Sequence, residues 1–353
     1  MTPPTSFTRR RLFAASLALT LAALAPLARA GGFDTLDFDW VDAERNRAVP
    51  VRLYWPHQAA ADAPVPLVVF SHGIGGSRRG YSYLGRYFAE NGIASLHVQH
   101  VGSDRALWTG NPFTLIGRLQ AAAQAREAIE RVLDLRHALD RLLAEEAGHA
   151  IDRSQIVVAG HSYGANTALL AAGASVERDG RTVDLRDPRF AAAILISAPP
   201  FYGETDPARI LRHVTVPTLH VTATGDTIQI PGYVSPPADR LAVFEAVGGP
   251  RQTLVMFEGG NHSIVTDRPA TGGPELNAQV KAATRELAAA FIAQVLVIGS
   301  GCVIIGTHHE QDMRKMGGLW KYLPFTYAVM TIGTIAITGV GIPGVFGFAG
   351  FYS

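Results

Sequence analysis

The feature that most constrains this chain is the stretch IVVAGHSYGANTALL at residues 156–170. An apolar run leads into Gly-His-Ser-Tyr-Gly, and an alanine- and leucine-rich run follows. A G-x-S-x-G pentapeptide between a strand and a helix places its serine, here Ser162, on a sharp turn with the hydroxyl exposed. Glycine supplies 36 of the 353 residues, so an inert turn serine is the alternative interpretation. The neighbouring segments decide between the two.

Strand and helix patterns alternate along the chain. Short alternating runs on either side of a polar turn predict a β-hairpin over residues 33–55. Apolar runs predict six further strands, at residues 67–73, 93–98, 155–160, 192–197, 217–223 and 252–257. Helical patterns cover residues 81–91, 115–147, 163–174, 206–213, 238–247 and 275–296. This alternation predicts an α/β fold with a mostly parallel central sheet flanked by helices, which binds ligands beyond the C-terminal strand ends.

Two of those strand ends carry the partners that a nucleophilic serine needs. A serine hydroxyl is activated by a base, and the base is oriented by an acid. The strand PTLHVTA leads into Thr-Gly-Asp and places Asp226 in the next loop, whereas QTLVMF leads into EGGNHS and places His262. The chain order Ser162, Asp226, His262 is the order of the α/β-hydrolase fold. These three residues are therefore the predicted catalytic triad.

Backbone N–H groups are expected to bind the developing oxyanion. The first predicted donor is Tyr163, which directly follows the nucleophile. The second is Ile74, in the loop SHGIGGS at residues 71–77. His72 and His161 flank the glycines of these two turns, and we expect them to hold the loops by hydrogen bonds. His97, His100 and Asp104 lie at the next strand end and its loop, and we name His100 and Asp104 as candidates for the substrate pocket.

Residues 33–296 resemble the α/β-hydrolases of the dienelactone hydrolase and platelet-activating-factor acetylhydrolase group. The resemblance rests on FSHGIGGSRRGYSYLGRYFAENG, HVQHVGSD, AGHSYGANT, VTATGD and FEGGNHS. In the acetylhydrolases proper the acid follows the preceding strand, which here reads SAPPFYGETD and offers Glu204 and Asp206. We favour Asp226, because a strand followed directly by Gly-Asp fits the acid loop of the fold.

The resemblance implies a serine hydrolase that cleaves carboxylic esters through an acyl-enzyme and needs no cofactor. No large lid insertion separates the predicted strands, so short acyl esters are the expected substrates, with lactone, amide and polyester hydrolysis as alternatives.

A formal charge of +1 without a basic stripe gives no indication of a nucleic-acid partner. The single cysteine, Cys302, excludes an internal disulfide and a cysteine-cluster metal site, and the adjacent His308 and His309 lack metal-ligand spacing, so no metal is expected.

The N-terminus has the features of an export signal. The segment TRRRLF precedes an apolar run that ends at Ala28-Arg29-Ala30, which predicts a signal peptide over residues 1–30 with cleavage after Ala30. The paired arginines resemble a twin-arginine signal, whereas an ordinary Sec signal or an uncleaved anchor are the alternatives. The predicted location is the periplasm or the medium.

The C-terminal segment differs in composition from the hydrolase-like domain at residues 31–296. HHEQDMRKMGGL, PFTYAVMTIGT and FAGFYS resemble the antiporter-like subunit L of bacterial NADH–quinone oxidoreductase, over about residues 298–353. No charged residue follows Lys321, and one span is long enough to cross a bilayer. The tail at residues 297–353 is therefore either a foreign segment, joined by fusion, frame error or sequence assembly, or a membrane anchor acting through residues 322–353. The alternative function is a fragment or fusion of that respiratory membrane subunit.

The predicted boundary at residue 296 is testable by truncation. If the hydrolase-like domain ends with the helix at 275–296, a chain ending at Leu296 should be soluble, unfold cooperatively and keep full kcat/KM. The full-length chain should partition to membrane or aggregate, because the uncharged stretch after Lys321 is costly to expose to water. Thermal melts and esterase assays on both chains check this, and loss of folding on truncation would contradict it.

Overall fold

The computed structural model describes residues 32–57, 64–178, 180–230, 233–267, 274–296, 341–342 and 346–347. It divides into two compact units, Met1–Glu286 and Leu287–Ser353. The predicted signal peptide and nearly all of the predicted tail lie outside the described residues. The domain boundary at residue 296 remains a prediction.

A single eight-stranded sheet organises the first unit. Its strands are β1 (Phe33–Asp42), β2 (Arg47–Pro56), β3 (Val65–Ser71), β4 (Ala94–Val98), β5 (Ile151–His161), β8 (Phe190–Ile196), β9 (Thr218–Gly225) and β12 (Gln252–Asn261). They lie side by side in the order β1-β2-β4-β3-β5-β8-β9-β12. The hairpin β1–β2 is antiparallel, and β2 runs antiparallel to β4. The other neighbours in the sheet are parallel. The predicted α/β architecture with a mostly parallel sheet is confirmed.

Helices connect and cover the strands. Those described are α1 (Ser82–Glu90), α2 (Leu115–Ala122), α3 (Ala125–Ala144), α4 (Tyr163–Ala172), α5 (Pro207–Leu211), α6 (Ala238–Ala246) and α7 (Pro274–Leu296). Short 3-10 helices cover Arg105–Trp108, Pro112–Thr114 and Glu146–Ala150. The main core lies where α3 and α4 pack on the sheet. From Gly164 to Ala172 every residue of α4 is buried, which explains its alanine-rich sequence.

The main differences from the predicted elements are one divided helix and two short hairpins. The predicted helix at 115–147 is broken into α2 and α3, because Gln124 has an extended backbone (φ −67°, ψ 151°). Alanine-rich sequence favours helix on both sides of this point, so local propensity gives no signal for the break. Two short hairpins were not predicted, β6 (Ser175–Arg178) with β7 (Arg181–Asp184) and β10 (Ile228–Ile230) with β11 (Tyr233–Ser235). Their strands have three or four residues, too few for a clear period-2 pattern.

The second unit includes two short antiparallel strands, β13 (Gly341–Ile342) and β14 (Phe346–Gly347). Within the described ranges, no helix is long and apolar enough to cross a membrane. The predicted span after Lys321 falls almost entirely on residues outside those ranges.

The turn between β5 and α4 depends on two glycines in close backbone contact. A Cβ on Gly160 would overlap the carbonyl of Gly164, and a Cβ on Gly164 would overlap the carbonyl of Ser71 at the end of β3. Backbone atoms cannot yield as a flexible side chain can. The small residues of the motif therefore let the start of α4 sit directly against the neighbouring strand end.

A matched pair of glycine substitutions tests this packing. Gly164→Ala should lower the free energy of unfolding by about 1–3 kcal/mol, as overpacking does. Gly117 lies in α2, where a Cβ would meet no atom within 4 Å beyond its chain neighbours and the backbone of its own helix, so Gly117→Ala should raise the free energy of unfolding by about 0.4–1 kcal/mol. Urea unfolding of both variants gives the comparison. Equal stability of the two variants would show that the contact with Ser71 does not constrain the turn.

Candidate active site

Ser162 lies at the turn between β5 and α4 in a strained backbone conformation. Its φ of 55° and ψ of −122° are unusual for an L-residue, and such strain persists only where surrounding structure holds it. The Ser162 N–H donates to the carbonyl of Ile196 on β8 at 2.8 Å. The side chain is therefore fixed at the C-terminal edge of the sheet, as the nucleophile-elbow motif predicts.

Three predicted residues meet at this edge. Nε2 of His262 lies 2.8 Å from Oγ of Ser162, and Nδ1 of His262 lies 2.7 Å from Oδ1 of Asp226. The carboxylate accepts from Nδ1–H, which leaves Nε2 as the acceptor for the serine hydroxyl proton. This continuous line of hydrogen bonds is the geometry that a serine nucleophile, a general base and an orienting acid require.

Asp226 is completely buried, yet its surroundings favour the ionised form. Burial by itself raises the pKa of its carboxyl group. His262 lowers this pKa through its hydrogen bond and its charge, and the hydroxyls of Ser197 and Thr222 lower it further. Together these effects outweigh burial, so the pKa lies below its usual range. The Thr222 hydroxyl donates to Oδ2 at 2.8 Å, and Nη1 of Arg240 lies 3.6 Å from Oδ1. The carboxylate therefore stays ionised beside the imidazole.

The two alternative acids are engaged elsewhere. Glu204 pairs with Arg178 and also lies 3.5 Å from Nη2 of Arg209. Asp206 caps the N-terminus of α5, accepting from the Arg209 N–H at 3.0 Å. Neither carboxylate contacts His262, so the structure joins the imidazole to Asp226.

The loop that contains Ile74 lies directly against the elbow. A Cβ on Gly73 would come within 3.1 Å of Nδ1 of His161, the residue before Ser162. Within the described part of the chain, the N–H groups of Ile74 and Tyr163 donate to no protein acceptor. Their role as donors to a substrate oxyanion stays a prediction.

His161 fastens the loop that carries the base. Its Nε2 donates to the carbonyl of His262 at 2.9 Å, and its Nδ1 accepts from the hydroxyl of Tyr81 at 2.7 Å. Burial lowers the pKa of His161 to about 3, and the neighbouring His262 adds to this effect. A neutral ring is the form that satisfies both bonds. His72 is also buried, with Nδ1 bonded to the Gly73 carbonyl, so both histidines have the predicted loop-holding contacts.

The two candidates for the substrate pocket both make polar contacts within the protein, and their role toward a substrate stays a prediction. His100 is fully buried, and its ring nitrogens are taken by Ser71 at 2.9 Å and Asp134 at 3.1 Å. Asp104 caps the 3-10 helix Arg105–Trp108 and accepts from the Gln99 side chain at 2.7 Å. The polar atoms of both side chains are engaged in holding loops. Both residues are predicted from their position beside a strand end, which does not distinguish a structural group from one that faces a ligand.

Sequence analysis missed a buried cation behind the predicted oxyanion loop, which is the loop at residues 71–77 that carries Ile74. Arg131 in α3 is completely buried, and its guanidinium contacts the end of β3 and the start of α4. The sequence contained a signal, because Arg131 falls on the apolar stripe formed by Ala128, Leu135 and Ala138. Among the described residues, no group of three or more His, Cys, Asp or Glu side chains has the arrangement of a metal site.

Comparison with known proteins confirms the fold and the two resemblances. The model of the family "Platelet-activating factor acetylhydrolase, isoform II" matches residues 46–111. A ferulic acid esterase from Streptomyces cinnamoneus is 23% identical with a TM-score of 0.56, covering 76% of this chain and 91% of that one. A structure from Klebsiella pneumoniae assigned as a dienelactone hydrolase is 18% identical with a TM-score of 0.54, covering 75% and 100%. The chain has the α/β-hydrolase fold.

The C-terminal segment matches a different family, "NADH:quinone oxidoreductase/Mrp antiporter, TM", over residues 277–353. NADH-quinone oxidoreductase subunit L of Rhodobacter capsulatus is 59% identical over 70 residues, which are 18% of this chain and 10% of that protein. The chain therefore spans about a tenth of the length of the curated relatives it matches. The family match begins inside α7, earlier than the resemblance predicted from about residue 298.

The choice of acid gives a direct test. Asp226→Asn should lower kcat by about 10³–10⁴, because an amide at this position favours the wrong tautomer of His262. Glu204→Gln and Asp206→Asn remove the same charge from residues that do not touch the imidazole, and should leave kcat nearly unchanged. Ester assays on the three folded variants make the comparison. The opposite pattern would transfer the orienting role to the earlier loop.

Proposed function

We propose that this chain is an exported serine hydrolase that cleaves carboxylic esters through an acyl-enzyme. The observation that carries the proposal is the line of hydrogen bonds from Ser162 Oγ through His262 to Asp226, at 2.8 and 2.7 Å. It lies at the C-terminal edge of the sheet, where the fold binds its ligands. The partial match to the acetylhydrolase family and the likeness to esterase structures agree with this chemistry.

The acylation step follows from the geometry. Oγ of Ser162 attacks the ester carbonyl carbon while Nε2 of His262 takes the hydroxyl proton. The carbonyl oxygen becomes negative and is bound by the N–H groups of Ile74 and Tyr163. His262 then donates its proton to the leaving alkoxide, the C–O bond breaks, and the alcohol departs. Asp226 stays ionised and stabilises the imidazolium.

Deacylation repeats these steps with water. His262 removes a proton from a water molecule, which attacks the acyl carbon and forms a second oxyanion in the same N–H pair. Collapse of this intermediate returns the proton to Ser162 and releases the carboxylic acid. The protein groups that carry out both half-reactions are those of the triad and the two N–H donors.

Short acyl esters are the substrates that we propose, with lactones, amides and polyesters as alternatives. The segment after β4 contacts the loop of Ile74 through Trp108, whose Nε1 donates to the carbonyl of Gly75 at 2.9 Å. The preference for short acyl groups rests on the absence of a large lid insertion between the predicted strands.

The location follows from the terminal segments, and we propose export on the basis of the N-terminal signal pattern. Membrane association through residues 322–353 is part of the same proposal.

A second candidate function, part of the membrane arm of a respiratory complex, rests on the match of residues 277–353 to subunit L. Ester turnover by residues 31–296 alone discriminates between the two, because that portion lacks residues 297–353, which are most of the matching segment.

A matched pair of serine substitutions on β5 and its following turn tests the nucleophile. Ser162→Ala should reduce hydrolysis of p-nitrophenyl acetate about 10⁴-fold or more while the fold persists. Ser154 lies near the other end of β5, where its hydroxyl donates to Asp152, so Ser154→Ala should keep wild-type turnover. Assays with acetate, butyrate and decanoate esters give the acyl preference. Wild-type turnover by Ser162→Ala would exclude the elbow as the reacting centre.

A further inference from the structure

A buried cation lies directly behind the two oxyanion donors. The side chain of Arg131 enters from α3 and is fully buried. Burial lowers the pKa of its guanidinium to about 10, so it remains charged at neutral pH. Removing a charged side chain from water is costly, and an apolar residue at this core-facing position would avoid that cost. The contacts of the guanidinium show which segments of the protein it holds together.

The first contacts are with the oxyanion loop. Nη2 of Arg131 donates to Oγ of Ser71 at 3.0 Å and also to the carbonyl of His72. These two residues are the last of β3 and the first of the loop, and Ile74 follows two residues later. The guanidinium therefore fixes the backbone from which one oxyanion donor projects.

The second set of contacts is with α4, the helix that directly follows Ser162. Nε of Arg131 donates to the hydroxyl of Thr167 at 2.9 Å. The guanidinium carbon also lies 4.5 Å from the centre of the Tyr163 ring, a cation–π distance. Tyr163 supplies the other oxyanion N–H. One planar group thus joins both segments whose N–H groups must point at the same oxygen.

A third contact, through Ser103, supports the oxyanion loop at the residue that follows Ile74. Nη1 of Arg131 donates to Oγ of Ser103 at 2.7 Å. The backbone carbonyl of Ser103 accepts from the Gly75 N–H at 2.8 Å, directly after Ile74. The loop is therefore held both before and after the predicted donor.

The positive charge is not cancelled by contact. In the described ranges, no carboxylate lies within ion-pair distance of Arg131. Ser103 separates it from Glu127, whose oxygen accepts from the Ser103 hydroxyl at 2.8 Å. His100 separates Ser71 from Asp134 in the same way. The nearest carboxylates are thus each separated from the guanidinium by an intervening side chain. A buried cation in this arrangement contributes positive potential at the carbonyl oxygen, where negative charge develops during acyl transfer.

We propose that Arg131 is the positioning residue of the oxyanion hole, which aligns the N–H groups of Ile74 and Tyr163 and adds positive potential behind them. The inference rests on the proposed esterase function. Its effect belongs to the transition state, because the ground-state ester carries no charge on its carbonyl oxygen. Loss of Arg131 should therefore lower kcat and leave KM nearly unchanged.

The test compares Arg131→Met and Arg131→Lys with a matched control. Arg189 precedes β8 at the end of that strand away from the site, and its guanidinium pairs with Asp187 and Asp140. Arg189→Met removes an arginine and its ion pairs at the end of the sheet away from Ser162. Each variant is characterised by its melting temperature, by kcat and KM for p-nitrophenyl acetate, and by the Ki of methylboronic acid, which forms a tetrahedral anionic adduct on an active serine.

For Arg131→Met, kcat should fall about 10²–10³-fold, the size expected for loss of an oxyanion donor, with KM within about threefold of wild type. The Ki of the boronic acid should rise in parallel with the loss of kcat/KM. Arg131→Lys keeps the charge without the planar set of donors, and should recover part of kcat. Arg189→Met should keep wild-type kcat, KM and Ki, whatever its melting temperature.

Folded Arg131→Met with wild-type kcat and Ki would overturn the inference, as would a change confined to KM or to the melting temperature. If Arg131→Met does not fold, Arg131→Lys decides. A roughly tenfold loss of kcat at unchanged KM supports the positioning role, and wild-type kcat overturns it. Failure of the proposed function itself gives a different result, because the wild-type protein would then turn over no ester and bind no boronic acid.

Discussion

The close approach of Gly164 to the carbonyl of Ser71 is the constraint on which the site depends. It places the start of α4 directly against the end of β3. Ser162 has a positive φ at the turn between β5 and α4, which the surrounding structure must hold in place. The same contact brings the loop of Ile74 beside Ser162. The proposed reactivity of the serine therefore depends on backbone packing at this turn.

Buried polar groups then fix what the backbone brings together. His161 ties the base loop to the elbow through the carbonyl of His262, and burial keeps its ring neutral. Arg131 joins the loop of Ile74 to the helix of Tyr163. Groups of this kind are costly in a core unless every donor is satisfied, and once satisfied they hold a unique arrangement. The side chains proposed to react are few, and these buried groups hold the loops that carry them.

Sequence predicted the parts of this site that depend on strand order. Ser162, Asp226 and His262 each follow a strand, and parallel strands bring their C-terminal ends to one edge, so three distant residues could be placed together without coordinates. The contacts of His100 and Arg131 could not be predicted in this way. They depend on how α3 sits over the sheet, which is set by side-chain packing and by the break at Gln124, where local sequence favours continued helix.

The central claim is that the hydroxyl of Ser162 is an activated nucleophile, and covalent labelling tests it most directly. The protein is treated with a fluorophosphonate, its intact mass is measured, and the modified peptide is located by fragmentation. We expect one phosphonyl group per chain, on Ser162, with ester turnover lost in proportion to labelling. An adduct on another residue, or turnover that continues after Ser162 is fully modified, would contradict the account.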